Sequence, residues 1–421
     1  MRWGWLLIWL QGNGDGDRRA RLRSLQGCQN GSPAQSSGWS ILLKIREAVV
    51  VKSRADFSRN NLDCLRLLLA SVVALFHLHA LTGIRTFDCF GRYLSPTFAV
   101  RSFFVISGLL IYRSYTRSSS VRSYFEKRIR RIYPAYFTII VVAAFGLFPL
   151  SVLPASKYFG LGLLKYLAAN LVFLNFLVPS LPGVFAMAPN SAVNGALWTL
   201  KIEVLFYLSI PVIHWLCERF GTKVVLGTLF VLSCLWKYGF EVVASRSTLP
   251  AVLTFDRSRN IFSQLSVQFP AQLAYFIAGI VLLLYFDKLK SYFGIILAAT
   301  VALYLVDHFF TGAILDSGGT LDLLWISGIV FMFGFWRYFG NFSKHGDFSY
   351  GVYIVHWPIL QTLMALHVNR LNPFVFLALA VALIFLAAFL MWHLVEKRFL
   401  ASSSHYRQGD GTVAGGPIRE R

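Results

Sequence analysis

The chain has 421 residues, of which 56% are hydrophobic and only 14% are charged. Soluble domains carry about 25% charged residues, so the composition excludes an ordinary soluble enzyme and indicates a polytopic membrane protein. The 40 basic and 19 acidic residues give a net charge of +21, which reads as basic loops on the cytoplasmic side of a bilayer, not as a nucleic-acid surface.

Residues 1–56 do not resemble the rest. The apolar run Trp3 to Leu10 is too short to span, and no small-residue cleavage site follows it. A disordered N-terminal extension without a functional role is expected there. Apolar runs of spanning length then fall near 62–84, 94–115, 132–152, 196–217, 222–240, 268–286, 291–310, 320–336, 347–368 and 373–395. An eleventh run, 160–179, is interrupted by Asn170, Asn175 and Pro179.

Charge decides the status of that eleventh run. With the N-terminus inside, the loop 113–131 lies in the cytoplasm and holds Arg113, Arg117, Arg122, Lys127, Arg128, Arg130 and Arg131 against Glu126 alone. The later clusters Arg219/Lys223, Lys288/Lys290, Arg337/Lys344 and Lys397/Arg398 fall on the same side only if 160–179 does not cross. The expectation is an all-α integral membrane protein of ten spans with one interfacial or re-entrant segment. The membrane domain covers 57–400, 401–421 is a cytoplasmic tail, and both termini are cytoplasmic. Cysteines 28, 64, 89, 217 and 234 form no CxxC pair, so neither a disulfide framework nor a metal site is expected.

His77, Glu203 and His356 lie inside apolar runs, where an ionisable group is costly and defaults to a functional hypothesis. Arg66 precedes His77 by eleven residues. Eleven helical steps of about 100° return to nearly the same face, roughly 16 Å further along the axis. His77 reads either as a general base or as a histidine satisfied within the bundle, with Arg66 snorkelling. On the expected topology His77, Arg101 and Glu203 share a depth of about 10 Å.

The run from Ser102 to Gly108 fits a helix–helix contact made by small residues as well as it fits a site. Pro358 beside His356 frees a backbone carbonyl, as happens where a span lines a cavity. The run Lys127 to Pro134 suits topology or anionic lipid, or the phosphates of a cofactor such as coenzyme A.

Five features in order resemble the membrane acyltransferase-3 family of bacterial O-acyltransferases. They are Arg66-x10-His77, Phe103-Phe104-x-x-Ser107-Gly108, and Arg130-Arg131-Ile132-Tyr133-Pro134. Then follow Leu197-Trp198-Thr199-Leu200-x-x-Glu203-x-x-Phe206-Tyr207 and Ser349-Tyr350-x-x-Tyr353-x-x-His356-Trp357-Pro358. The match runs from about residue 57 to 400. The resemblance implies ten spans, a bacterial inner-membrane location and roles for Arg66, His77, Arg128, Arg131 and Glu203. It further implies acetyl-coenzyme A as acyl donor and a glycan or lipid-linked saccharide as acceptor, with membrane lipids around the protein. No counterpart of the fused C-terminal esterase-like domain of some relatives is expected in this sequence.

The expected mechanism has His77 deprotonating a sugar hydroxyl, with Glu203 orienting or charging the imidazole and Arg66 completing the catalytic set. Lys127, Arg128 and Arg131 would bind the donor. Arg101, Ser102, Phe104, Trp198, Tyr353 and His356 are candidate substrate-binding residues. The competing expectation is a proton-coupled transporter or glycan exporter, because intramembrane His and Glu also suit a proton relay. The chain has no inverted repeat to favour that rival.

Overall fold

A computed structural model describes residue 57 and residues 59–246, 261–311, 321–342, 344 and 346–400. The expected N-terminal extension, the middle of the loop 241–267 and the tail beyond 400 lie outside the described residues. The chain divides into Met1–Arg59 and Asn60–Arg421, and every element below belongs to the second unit.

Eleven helices organise it: α1 Leu62–Thr82, α2 Pro96–Thr116, α3 Val121–Gly146, α4 Leu161–Leu171, α5 Trp198–Phe220, α6 Thr222–Arg246, α7 Phe269–Leu284, α8 Phe293–Thr311, α9 Asp322–Phe335, α10 Ser349–Ala365 and α11 Pro373–Leu390. No strand occurs among the described residues beyond one isolated bridge, Ser151 with Val184. Local signals fix the ends. Ser95 accepts from the Phe98 N–H ahead of Pro96, and Ser120 accepts from the Ser123 N–H. Gly83, at φ 62°, closes α1 in the left-handed conformation, its N–H returning to the His79 carbonyl.

Each of the ten apolar runs contains a helix, and the all-α membrane architecture stands. Six helical segments are long and apolar enough to span, or seven if Arg85–Tyr93 and Pro96–Thr116, bent by 41°, form one span. Phe293–Phe309 and Asp322–Phe335 are shorter. Helix α10 is buried along most of its length, so it faces protein and neither its length nor its hydropathy must match lipid. The 160–179 run folds as the 11-residue α4 followed by turns. At 1.5 Å per residue α4 rises about 16 Å, well short of a hydrocarbon core of roughly 30 Å.

Close packing sets the site's frame. A Cβ on Gly108 of α2 would stand 1.9 Å from the Phe276 carbonyl oxygen of α7. One on Gly279 would stand 2.0 Å from the Val105 oxygen. The two backbones approach so closely only because both residues are glycine. Phe276 stacks on Phe206 of α5 at 4.1 Å, and Phe104 meets Phe206 edge-on at 5.3 Å. The Phe-Phe-x-x-Ser-Gly run is therefore a packing seam, with Phe104 and Gly108 on it.

Two helix-interior prolines each leave a carbonyl four residues earlier without its usual donor. Pro358 frees the Ile354 oxygen, and the Asn194 side chain donates to it at 2.7 Å. Pro211 frees the Tyr207 oxygen, and the Tyr124 hydroxyl donates to it at 3.2 Å. Both donors come from other segments, so each proline position also ties two elements together.

Candidate functional site

His77 Nδ1 lies 2.9 Å from His356 Nε2. Arg66 lies 2.8 Å from Asp347 Oδ2. The two contacts run in the same order along both segments, so α1 and α10 are parallel neighbours. Eleven residues of α1 separate the contacts by about 16 Å, giving two centres on one wall.

At the first centre the imidazole planes of His77 and His356 differ by only 4°. Trp357 meets His77 edge-on at 4.8 Å. Trp357 is itself held, donating its indole N–H to the Ala192 carbonyl at 3.1 Å. Gly195 lets the 190–197 loop lie against that ring, because a Cβ there would stand 2.6 Å from it. Tyr353, one turn from His356, shares a 2.7 Å hydrogen bond with Thr199 and meets Phe103 edge-on at 5.8 Å. His356 is fully buried and His77 partly so. His77 Nε2 makes no hydrogen bond among the described residues.

Glu203 does not touch His77. Its Oε1 accepts from the Tyr207 hydroxyl at 2.6 Å, one turn on along α5. The Arg128 guanidinium lies over the Tyr207 ring at 5.8 Å and donates to Ser114 Oγ at 2.9 Å. Glu203, Tyr207 and Arg128 thus form a group of their own. The side chain hydrogen-bonded to His77 is instead His356. Lys127 is exposed and donates to Ser118 Oγ at 3.2 Å.

At the second centre Arg66 and Arg131 converge on Asp347 Oδ2, and Arg131 lies 3.5 Å from Glu396 Oε2. Asp347 precedes α10 in a loop and also accepts from the Ser349 N–H and hydroxyl. Burial alone would push its carboxyl up. Arg66, Arg131 and the Ser349 bonds outweigh burial and hold it at about 2, below the ordinary 3.8. Glu396 sits in a π-helical turn, Met391–Glu396, that continues α11. Arg66 and Arg131, expected in catalysis and donor binding, are engaged here in one buried ion cluster.

Arg101 belongs to a third group. It pairs with Asp322 at the start of α9, where Lys237 Nζ lies 3.4 Å from the carboxylate and the Tyr275 hydroxyl donates at 2.8 Å. Four helices meet at this buried carboxylate. Ser102, also buried, has no hydrogen-bond partner for its hydroxyl among the described residues. Trp198 opens α5 and is partly exposed.

The structure therefore brings His77, His356 and Trp357 together with Tyr353 one turn away. It leaves Glu203 with Arg128, and Arg101 with Asp322, in separate groups. Asp347, Glu396, Asp322 and Lys237 escaped the sequence reading. Asp347 had one local signal: an acidic residue two positions before Ser349 at the start of an apolar run. Glu396 stands beside Lys397 and Arg398 and was hidden by that basic context.

A model of the family described as "Acyltransferase domain" matches residues 59–393. "Nodulation protein 10" of Rhizobium leguminosarum bv. viciae is 28% identical over 330 residues, 73% of this chain and 84% of that protein. "O-acetyl transferase" of Shigella phage Sf6 is 28% identical over 366 residues, 82% and 97% of the two chains. "O-acetyltransferase OatA" of Staphylococcus aureus is 30% identical over 212 residues, 44% of this chain and 32% of that protein. No solved structure matches. With the family model covering most of its length and all five motifs in order, the chain belongs to the membrane acyltransferase-3 family.

Proposed function

We propose that the protein is an O-acetyltransferase, moving an acetyl group from acetyl-coenzyme A to a hydroxyl of a surface or exported glycan. The observation that carries this reading is the His77 imidazole, its Nδ1 bonded to His356 at 2.9 Å and its Nε2 without a hydrogen bond among the described residues. A partly buried, oriented imidazole is the ordinary general base for activating an alcohol. Family membership and the relatives named as O-acetyl transferases support the same chemistry.

In the proposed step His77 Nε2 takes the proton of the sugar hydroxyl as its oxygen attacks the thioester carbonyl carbon. The C–O bond forms, the C–S bond breaks, and the thiolate leaves with the proton His77 has taken. The products are an acetyl ester and free thiol, and the imidazole returns neutral. Lys127 and Arg128 are the proposed cations for the donor's phosphates. Arg131, close to them in sequence, is ion-paired with Asp347 and Glu396. We place the chain in a bacterial inner membrane as ten spans with cytoplasmic termini, counting the short and bent helices as crossing.

Labelled acetyl-coenzyme A added to membranes containing the wild type or His77→Ala tests the reading. Label reaching the glycan in the wild type and failing to do so in an equally abundant variant supports it. Equal labelling removes His77 from the chemistry.

A further inference from the structure

A neutral imidazole carries one proton, and the nitrogen without it is the one able to take a proton from an alcohol. Neighbours decide which nitrogen that is. His356 Nδ1 lies 3.2 Å from the Val352 carbonyl oxygen of its own helix. A carbonyl only accepts, so His356 Nδ1 carries the hydrogen and His356 Nε2 holds a lone pair. That lone pair faces His77 Nδ1 at 2.9 Å, so His77 Nδ1 in turn carries its hydrogen. The two planes differ by 4° with centroids 5.2 Å apart. At so short a nitrogen–nitrogen distance, that separation is reached only if the rings meet edge to edge, the geometry of a straight N–H···N bond.

We propose that His356 is a positioning residue that holds His77 in its Nδ1–H tautomer, so that Nε2 is the proton-accepting nitrogen. The inference rests on His77 being the base proposed above. The chain of bonds runs from the His77 Nδ1–H to His356 Nε2, and from the His356 Nδ1–H to the Val352 oxygen. When His77 Nε2 gains a proton, its Nδ1–H bond becomes charge-assisted and strengthens. A neutral histidine thereby does what a carboxylate does behind the histidine of a hydrolase triad: it orients the ring and stabilises its cation. Trp357 and Phe76, edge-on to His77 at 4.8 and 5.9 Å, keep the ring from turning.

The test uses full-length protein in bilayers, with ¹⁵N-histidine for NMR and labelled acetyl-coenzyme A for turnover. In the wild type the His77 signals should show the Nδ1–H tautomer, and His356→Ala should shift them toward Nε2–H. His356→Ala should lower kcat roughly 10- to 100-fold, part of the roughly 10²–10⁴-fold that a positioned base supplies, with KM for both substrates within about twofold. A glutamine places its terminal atoms near where Nε2 stood, and an asparagine near Nδ1. His356→Gln should therefore recover much of the rate and His356→Asn little. A simple packing role gives no such ordering. An Nε2–H tautomer in the wild type, or equal rates for the glutamine and asparagine variants, overturns the inference while leaving His77 as base intact. Full activity in His77→Ala overturns the base and, with it, this role for His356.

Discussion

The Arg66 guanidinium stands 2.8 Å from Asp347 Oδ2, on the same oxygen that Arg131 reaches from a third helix. One buried carboxylate thus joins α1, α3 and the entry to α10. Removing it leaves two cations in a poorly solvated place. Asp347→Ala should destabilise by about 3–5 kcal/mol, as breaking a buried pair does. The check is thermal unfolding in detergent; an unshifted transition contradicts a clamp at this point.

The same carboxylate sets an acid dependence. Its pKa is held at about 2 in the fold against an ordinary 3.8. A lowered carboxylate pKa contributes stability that is fully present above the unfolded value. That stability is lost as pH falls through the folded value. Asp347 should therefore contribute about 2 kcal/mol at neutral pH, declining between about pH 4 and pH 2. Unfolding curves across that window should converge for wild type and Asp347→Asn. A gap that stays constant to pH 2 contradicts the assignment.

Asn194 and Pro358 make a paired prediction. Asn194→Ala leaves the Ile354 carbonyl without its 2.7 Å donor and should cost about 1–3 kcal/mol. Pro358→Ala restores a backbone N–H one turn on, which can serve that carbonyl instead. The cost of Asn194→Ala should shrink in the Pro358→Ala background. A double-mutant cycle with no coupling contradicts the pairing.

Donor binding separates Arg128 from Arg131. Among the described residues Arg128 bonds a serine hydroxyl and lies over a tyrosine ring, whereas Arg131 is tied to two carboxylates. Arg128→Ala should raise KM for acetyl-coenzyme A about tenfold, the loss of roughly 1.4 kcal/mol, and leave KM for the acceptor near its original value. Arg131→Ala should mainly lower stability. The reverse pattern contradicts a donor-site role for Arg128.

Much of the fold was legible because lipid imposes length and apolarity on each helix. Every apolar run contains a helix, and the interrupted 160–179 run folds short, as Asn170, Asn175 and Pro179 suggested. The span count was less legible. Helix α9, at 14 residues, falls short of a full crossing, and α10 is enclosed by protein, conditions a hydropathy window does not distinguish. At the site, His77 and His356 stood out as ionisable groups in apolar runs. Their mutual bond did not, because it joins positions 279 residues apart. Glu203 looked like the natural partner by depth, yet a tyrosine one turn away on its own helix takes its carboxylate. Asp347 and Asp322 stayed hidden because their arginine partners lie on remote helices, and sequence spacing reports only contacts within one helix.

Transfer of labelled acetyl from acetyl-coenzyme A to membrane glycan, compared between wild type and His77→Ala at equal abundance, bears most directly on the proposed chemistry. With His77 as the base, the variant should fall by at least about 100-fold while its unfolding transition stays close to the wild type's. A folded variant that acetylates its glycan at the wild-type rate would show that some other group takes the proton.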